Sequence, residues 1–322
     1  MSDKSVSLES VTKRYGTFTA VDDLSFEVAK GEIFGFLGPN GAGKTTTLRM
    51  MLDIIQPTTG RIAVLGSASA IPVRQRIGYL PEERGLYRKM KAADSIAYFA
   101  QLRGLSRNDA KAKAISLLEQ FGLAQFARSK NEALSKGMAQ KVQLLSTIAH
   151  EPELLILDEP FSGLDPINQQ TLEELIRNQR DAGRTIIFST HVMQHAERLC
   201  DRFIIIAGGG KRFEGTLAQA RAGFAKRMHI RTPASSDALF ALGQVASLRQ
   251  EDSDGGDENT FEVTLEDGVD PQSYLKRAVD NGLILSRFEQ AGATLHDIFM
   301  SLAGEEGDRG KAARPPVMEA AE

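Results

Sequence analysis

The stretch GPNGAGKTT, which runs from Gly38 to Thr46, constrains this chain more than any other part of the sequence. It matches the pattern G-x-x-x-x-G-K-[ST], with Gly43, Lys44 and Thr45 at the last three defined positions. The run EIFGFLG before it is typical of a buried strand, and KTTTLRMMLDII after it has the spacing of an amphipathic helix. The sequence therefore predicts a strand, a glycine-rich turn and a helix, with the turn at the carboxyl edge of a sheet.

The chemistry that such a turn supports is phosphate binding. Glycines let backbone N–H groups converge on phosphate oxygens, and the N-terminus of the following helix adds positive potential. We expect Lys44 to reach the β- and γ-phosphates and the hydroxyl of Thr45 to ligate Mg²⁺. An ordinary glycine-rich loop is the alternative, and the agreement of motif and context disfavours it. The other residues expected around the phosphates are Gly38, Pro39, Asn40, Gly41, Ala42, Gly43 and Thr46.

A second motif, ELLILDEP, supplies the carboxylates that this chemistry needs. Its nearly continuous apolar run predicts a strand buried on both faces. An acid at the end of such a strand lies at the carboxyl edge of the sheet, where ligands bind. We expect Asp158 to face Mg²⁺ and Glu159 to orient or deprotonate the attacking water. A helix or strand cap is the alternative role for these acids.

Strands alternate with helices through most of the first domain, which predicts an α/β fold with a parallel core sheet. Residues 1 to about 30 have the period-two pattern of an antiparallel β subdomain, and about 88–150 form a predicted helical subdomain. The hairpin FIIIAGGGKRFEG, with its turn at 208–210, closes a first domain predicted at 1–222. The next region, 223–303, has the order strand–helix–strand–strand–helix–strand of a small α+β, ferredoxin-like domain. The segment 251–258 predicts an acidic turn, and the polar tail 304–322 predicts disorder.

Composition excludes several classes of function. The 322 residues carry 39 basic and 42 acidic side chains, so the net charge of −3 gives no support for nucleic-acid binding. The single cysteine, Cys200, allows no internal disulfide and fits a reducing compartment. The sequence shows neither the apolar core of a signal peptide nor a run of about 18 apolar residues that would cross a bilayer. We therefore expect any work at a membrane to need another chain as the anchor.

Several motifs together resemble the ATP-binding cassette (ABC) family, over about 205 residues. Gly38–Thr46 is similar to its Walker A motif (the P-loop), and Leu154–Asp158 to its Walker B motif. The stretch SGLD, Ser162–Asp165, resembles the D-loop, and we expect Asp165 beside the nucleotide. His191, at the end of STH, resembles the switch histidine, with a catalytic role. Tyr15, 23 residues before the Walker A motif, is at the place of an aromatic residue that stacks on adenine.

The stretch LSKGM, 134–138, is at the place of the family's signature LSGGQ. Here Ser135 can cap the following helix. The resemblance implies that Ser135 and Gly137 face the γ-phosphate bound to a second copy of the chain, with the helix dipole adding to the attraction. Lys136 and Met138 depart from the common pattern. Lys136 either adds positive charge near the phosphate or points into solvent.

A second departure is Glu82 in GYLPEERGLY, where the family usually has the glutamine of the Q-loop. The resemblance implies that this residue senses the γ-phosphate, approaches Mg²⁺ and contacts the membrane partner, with a role in catalysis. The combination of this stretch, LSKGM and an appended ferredoxin-like domain resembles bacterial exporter ATPases of the sodium-extrusion type.

The resemblance implies an ATP-hydrolysing subunit that uses ATP and Mg²⁺ and forms a head-to-tail dimer. It would drive a separate permease of an exporter from the cytoplasmic face of the cell membrane, with no nucleic acid as partner. The alternative is a soluble ABC ATPase acting in translation or DNA repair. Those proteins usually carry two cassettes or long coiled-coil insertions, and this sequence has neither. The role of the C-terminal domain stays open between dimer contact, regulation and packing.

Overall fold

A computed structural model describes residues 4–83, 85–224, 226–251, 258–266 and 268–304 of the chain. The chain divides into two compact units, Met1–Leu217 and Ala218–Glu322. The predicted acidic turn at 251–258 and the predicted disordered tail at 304–322 lie largely outside the described residues.

The first unit contains a central sheet, a smaller antiparallel sheet and a group of helices. Its elements, in chain order, are β1 (Lys4–Tyr15), β2 (Phe18–Ala29), β3 (Ile33–Leu37), α1 (Lys44–Met51), β4 (Thr59–Val64), β5 (Ile77–Leu80), α2 (Ala92–Leu102), α3 (Arg107–Gln120), α4 (Lys136–Ile148), β6 (Leu154–Asp158), α5 (Pro166–Asp181), β7 (Thr185–Thr190), α6 (Met193–Leu199), β8 (Arg202–Ala207) and β9 (Gly210–Gly215).

The central sheet of this unit has the strand order β5-β6-β7-β3-β8-β9. The pairs from β5 to β8 are parallel, and β9 pairs antiparallel with β8 at the edge. Every residue of β3, β6 and β7 is buried, as their apolar runs predicted. The parallel strand pairs confirm the predicted α/β fold, and the antiparallel pair of β8 and β9 confirms the predicted hairpin. Because parallel strands end at one edge, β3, β6 and β7 bring their carboxyl-terminal loops together there.

Two further layers flank the central sheet. The strands β2, β1 and β4 form an antiparallel sheet, and α2, α3 and α4 form the helical subdomain. The close packing of α2 against α3 depends on small side chains, because fully buried alanines let two helix backbones approach each other. These alanines are Ala97, Ala100, Ala110 and Ala114.

The helix after the glycine-rich loop is shorter than the predicted stretch of 44–55. Helix α1 ends at Met51, and Leu52 is its C-terminal cap. Asp53 then adopts φ 60°, a left-handed conformation that ends a right-handed helix. Its carboxylate accepts hydrogen bonds from Gln56 and Ser69, which hold the chain in this turn. The apolar period of the sequence continues past Met51 although the helix does not.

The second unit follows α7 (Leu217–Arg221), which spans the boundary. Its strands have the order β11-β12-β10-β13 and pair antiparallel throughout, which is the topology of a ferredoxin-like domain. The predicted strand LILSRFEQ is shorter than expected, because the N–H of Leu283 bonds the carbonyl of Ala278 at the end of α9. The elements are β10 (Arg227–Thr232), α8 (Ser236–Ala241), β11 (Val245–Glu251), β12 (Asn259–Leu265), α9 (Pro271–Asp280), β13 (Arg287–Ala291) and α10 (Leu295–Gly304).

Candidate nucleotide-binding site

The glycine-rich loop lies between β3 and α1, as the sequence predicted. Gly43 caps α1 with φ 98°, a conformation that favours glycine. A Cβ atom at Gly43 would also overlap the carbonyl oxygen of Ala20 in β2, so no larger residue fits there. The ammonium of Lys44 is buried and donates to the carbonyl oxygens of Gly38 at 2.8 Å and Pro39 at 3.3 Å. The loop therefore folds around its own lysine.

The end of β6 places Asp158 beside the end of β7. Asp158 and Ser189 are register partners, and the hydroxyl of Ser189 donates to Asp158 Oδ1 at 2.5 Å. Burial raises the pKa of the Asp158 carboxyl, and hydrogen bonds from Ser189 and Thr45 oppose this effect. Thr45 belongs to the glycine-rich loop, so this contact joins the two motifs that the sequence could only predict to be near each other.

Glu159 lies at the centre of the site. Its φ of 46° is a left-handed conformation that costs a non-glycine residue about 1–3 kcal/mol. The N–H of Glu159 donates to Ser189 at 3.0 Å, which helps to hold the turn. One carboxylate oxygen lies 3.2 Å from the ammonium of Lys44, and the other lies 3.0 Å from Nδ1 of His191. The structure thus brings Lys44, Glu159 and His191 into one cluster.

The same edge offers oxygen atoms suited to Mg²⁺. Asp158 Oδ2 is buried and lacks a hydrogen-bond partner within the described residues. The Thr45 side chain lies within hydrogen-bond reach of the Asp158 carboxyl. No cluster of three or more His, Cys, Asp or Glu residues suited to a metal occurs in the part of the chain that the structure describes. Mg²⁺ is typically held by a few protein oxygens, and oxygens of phosphate and water complete its coordination. The residues at this edge therefore fit the ion.

Tyr15 lies at the end of β1, in the hairpin that leads into β2. Its ring is 50% exposed, with the Lys13 ammonium 5.0 Å from the ring centroid. The hairpin lies close to the glycine-rich loop, because Ala20 of β2 contacts Gly43. An exposed aromatic ring near this loop is available to stack on a base.

The signature stretch lies against the D-loop of the same chain. Ser135 caps α4 and accepts from the N–H of Met138 at 3.3 Å, as its position predicted. Lys136 is exposed, and its ammonium lies directly over Gly163 of the D-loop, where a Cβ atom would overlap it. A Cβ atom at Gly137 would meet Nδ2 of Asn168, the residue that binds Asp165, at 2.8 Å. The two alternatives for Lys136, positive charge near the phosphate or a position in solvent, stay predictions.

The D-loop acid has a local role. Asp165 caps α5 and accepts from the backbone N–H of Asn168 at 2.9 Å and from its side chain at 2.6 Å. The backbone hydrogen bond, and then the side-chain one, lowers the pKa of Asp165 below its ordinary value. Within the described ranges, no hydrogen bond or salt bridge joins residues 134–138 or Asp165 to the loop 38–46.

Glu82 lies just beyond β5, the strand next to β6, and is exposed. It makes no hydrogen bond or salt bridge to Asp158 or Thr45 among the residues that the structure describes. The neighbouring Glu83 carbonyl accepts from the side chain of Gln143 in α4 at 3.1 Å, which ties this loop to the helical subdomain.

The sequence analysis missed two contributors to the site. Ser189 supports both Asp158 and Glu159, and the position of the STH motif after a parallel strand was a usable signal. The ring of His195 stacks on that of Phe161, two residues after Glu159, with 4.0 Å between centroids. No sequence motif indicated this second contact.

The fold and this arrangement of lysine, carboxylates and histidine define a P-loop ATPase with a cassette-type signature. Residues 21–162 match the family model described as ABC transporter, and 215–303 match the DrrA1-3-like ATP-binding protein C-terminal domain. The chain belongs to the ATP-binding proteins of ABC transporters, which hydrolyse ATP to drive transport.

Three comparisons support this assignment. The uncharacterized ABC transporter ATP-binding protein YhaQ of Bacillus subtilis (strain 168) is 38% identical over 299 residues, 93% of this chain and 98% of its own length. The Nod factor export ATP-binding protein I of Burkholderia orbicola (strain AU 1054) is 35% identical over 312 residues, 95% and 99% of the two chains. A solved structure of the ATP binding subunit of an ABC transporter is 33% identical, with a TM-score of 0.62, and covers 67% of this chain and 91% of that one.

None of the helices in the described residues combines the length and the apolar character that a bilayer span requires.

Proposed function

We propose that this chain is the ATPase subunit of an ABC exporter, in which two copies bind two ATP molecules head to tail and drive a separate permease. The observation that carries this proposal is the contact of Glu159 with both Lys44 and His191, beside Asp158. Hydrolysis of a γ-phosphate requires these groups to lie close together in space.

In this mechanism the phosphates of ATP replace Glu159 as the partner of the Lys44 ammonium. Glu159 then keeps His191 as its neighbour and accepts a proton from the attacking water. Water adds to the γ-phosphorus, the bond to the ADP oxygen breaks, and His191 orients the carboxylate or donates to the γ-phosphate. Asp158 and Thr45 would hold Mg²⁺, which neutralises charge on the β- and γ-phosphates when bound.

The exposed groups of the signature stretch support the proposed dimer. Ser135 and Asp165 are exposed, and each of them already caps its own helix. The N-terminus of α4, with its partial positive charge, is available to an anion from outside the chain. A second copy, turned head to tail, supplies that anion as its bound γ-phosphate, with Tyr15 of each copy stacked on adenine and Glu82 near the Mg²⁺ side.

The permease is proposed to dock at a cleft beside the loop of Glu82. This cleft measures about 250 Å³ and is lined by residues that include Tyr79, Pro81 and Phe99. Two exposed tyrosines, Tyr87 and Tyr98, pack around Phe99 with ring centroids 6.4 and 5.5 Å from it. Aromatic side chains at a rim of this kind are typical of protein interfaces.

The exporter assignment rests on the Nod factor export relative, which aligns over nearly its whole length. We place the chain at the cytoplasmic face of the cell membrane, attached through the permease. Fractionation tests this: the chain should enter the membrane fraction only when its permease is co-expressed. Tyr98→Ala should reduce that fraction, whereas Phe240→Ala, an exposed aromatic residue of the second unit, should not. Equal membrane binding without the permease would favour a separate anchor, and no membrane binding even with the permease would favour the soluble alternative.

The decisive experiment for ATP hydrolysis uses Glu159→Gln. A positioned general base contributes about 10²–10⁴ in rate, so we expect turnover to fall by that factor while ATP binding remains. The variant should also accumulate as an ATP-bound dimer in sedimentation, because the nucleotide between the subunits is not consumed. Wild-type turnover in this variant would remove Glu159 from the mechanism, and a strictly monomeric variant with bound ATP would contradict the dimer.

A further inference from the structure

A cluster of titratable residues, two of them buried, lies next to the catalytic turn and has no role in the mechanism above. His195 in α6 is 3% exposed, and Glu173 in α5 is 6% exposed. Nδ1 of His195 lies 3.2 Å from Glu173 Oε1, and Arg198 donates to the same carboxylate oxygen at 2.6 Å. Arg177 lies 3.9 Å from the other oxygen. The cluster fixes the plane of the imidazole.

The fixed imidazole stacks on an aromatic ring of the catalytic turn. The rings of His195 and Phe161 are 4.0 Å apart with an interplanar angle of 13°. Phe188 of β7 packs edge-on against the same phenylalanine, with centroids 5.9 Å apart. Phe161 is therefore confined between a histidine ring and the central sheet.

Phe161 belongs to the short turn that carries Glu159. The carbonyl of Glu159 accepts from the N–H of Ser162 at 3.1 Å, which closes the turn around Phe161. Glu159 itself has φ 46°, a conformation that the surrounding structure has to maintain. A cavity of about 410 Å³ is bordered by Glu159, His191 and Phe161, and His195 borders it too.

We propose that His195 is a positioning residue for ATP hydrolysis: its ring, fixed by Glu173, supports Phe161 and thereby holds the turn that carries Glu159. The inference rests on the proposed catalytic role of Glu159. Displacement of a catalytic group by about 1 Å can reduce a rate about 10²-fold, so a support at this place has a measurable effect.

Three substitutions separate support by the ring from support by the hydrogen bond. His195→Ala removes both, His195→Phe keeps a ring over Phe161, and His195→Gln keeps a polar group toward Glu173 and Arg198. We expect His195→Ala to lower kcat roughly 10-fold or more at unchanged ATP affinity. His195→Phe should recover most of this loss, and His195→Gln should recover little.

The matched control is Val28→Ala, which removes buried apolar volume from β2 of the same unit. It should lower the Tm without changing kcat. The proposal is overturned if His195→Ala keeps wild-type kcat, or if the control at equal loss of Tm reduces kcat as much. If His195→Ala does not fold, the kcat values of the other two variants are compared with each other. A higher kcat for His195→Gln than for His195→Phe would overturn the proposal.

Glu159→Gln belongs in the same assay. If that variant retains wild-type turnover, the proposed role of Glu159 fails whatever the His195 variants do. If Glu159→Gln is inactive and the His195 variants are normal, the positioning role alone fails.

Discussion

The P-loop side of the nucleotide site is buried, and the signature side is exposed. Lys44, Asp158 and Glu159 are 6%, 1% and 7% exposed. Lys44 forms a salt bridge with Glu159, and Asp158 accepts a hydrogen bond from Ser189. Ser135 and Asp165 lie on the surface, and each satisfies a backbone N–H of its own helix.

This difference has a physical consequence for how each side works. Buried charges in contact have few alternative positions, so the P-loop side has its geometry fixed by the fold of one chain. Exposed caps have little desolvation to overcome when they meet another surface. This difference supports the proposal that the first side binds ATP and that the second side meets ATP held by another chain. Four predictions test this comparison.

The largest effect is expected for Lys44→Ala. Hydrogen bonds to charged groups contribute about 1.5–3 kcal/mol, so ATP affinity should fall about 10- to 100-fold. Equilibrium binding of labelled ATP measures this directly. Lys130→Ala, which removes an exposed lysine of the helical subdomain, is the control and should leave affinity unchanged. Wild-type affinity together with wild-type turnover in Lys44→Ala would contradict the assigned role.

Tyr15→Ala should weaken ATP binding less. Aromatic stacking contributes about 0.5–1.5 kcal/mol, which corresponds to about 2- to 10-fold in affinity. Phe18 is a close control because it lies in the same hairpin and is 49% exposed, against 50% for Tyr15. Competition with GTP provides a second readout, since loss of base stacking should reduce any preference between the two nucleotides. Equal effects of Tyr15→Ala and Phe18→Ala would show that the residue does not stack specifically.

Mixing two inactive variants tests the exposed side. In a head-to-tail dimer, Ser135 of one chain and Lys44 of the other belong to the same composite site. A dimer of Ser135→Arg with Lys44→Ala therefore has both defects in one site and an intact second site. We expect the mixed dimer to have up to about half of the wild-type ATPase activity, because one of two sites remains. An equimolar mixture, in which about half of the dimers are mixed, should reach about a quarter.

Each parent homodimer has both sites damaged and serves as the control for the mixture. If the two sites must work together, nucleotide-dependent dimerisation measured by sedimentation should still exceed that of either parent. A mixture with neither effect would mean that Ser135 only caps its helix.

The smallest effect concerns the pH dependence of stability at two aspartates. Burial raises the pKa of Asp158 above its ordinary 3.8, so its protonated form stabilises the fold and this contribution is lost as the pH rises. Asp158→Asn should therefore raise the Tm at pH 7, while hydrolysis falls. The gain should disappear toward pH 4.

Asp165 provides the opposite sign. Its pKa is lowered, so its stabilising contribution is present above 3.8 and is lost as the pH falls. Asp165→Asn should leave the Tm at pH 7 equal or slightly lower, since asparagine also caps helices. Calorimetry at pH 7 and at pH 3, on either side of the ordinary pKa of 3.8, distinguishes the two variants. A lower Tm for Asp158→Asn at pH 7 would contradict the sign derived for the buried carboxyl.

The sequence was sufficient to predict the parallel core sheet, the closing hairpin, the ferredoxin-like order of the second unit and the motifs that carry the chemistry. These features depend on short-range periodicity and on glycine, proline and capping residues within a few positions. Ser135 as a cap is one example, because the residue and its partner Met138 are three positions apart. Element ends were less well determined, since Asp53 stops α1 although the apolar period continues.

Which distant residues meet depends on the tertiary fold. Glu159 and His191 are 32 positions apart, and their contact depends on the neighbouring order of β6 and β7. The position of Lys136 over Gly163, and that of His195 over Phe161, depends on how helices pack against the catalytic loops. A linear sequence states which side chains are available. The register of strands and the packing of helices set the distances between them, and those distances make an ATPase site from separate motifs.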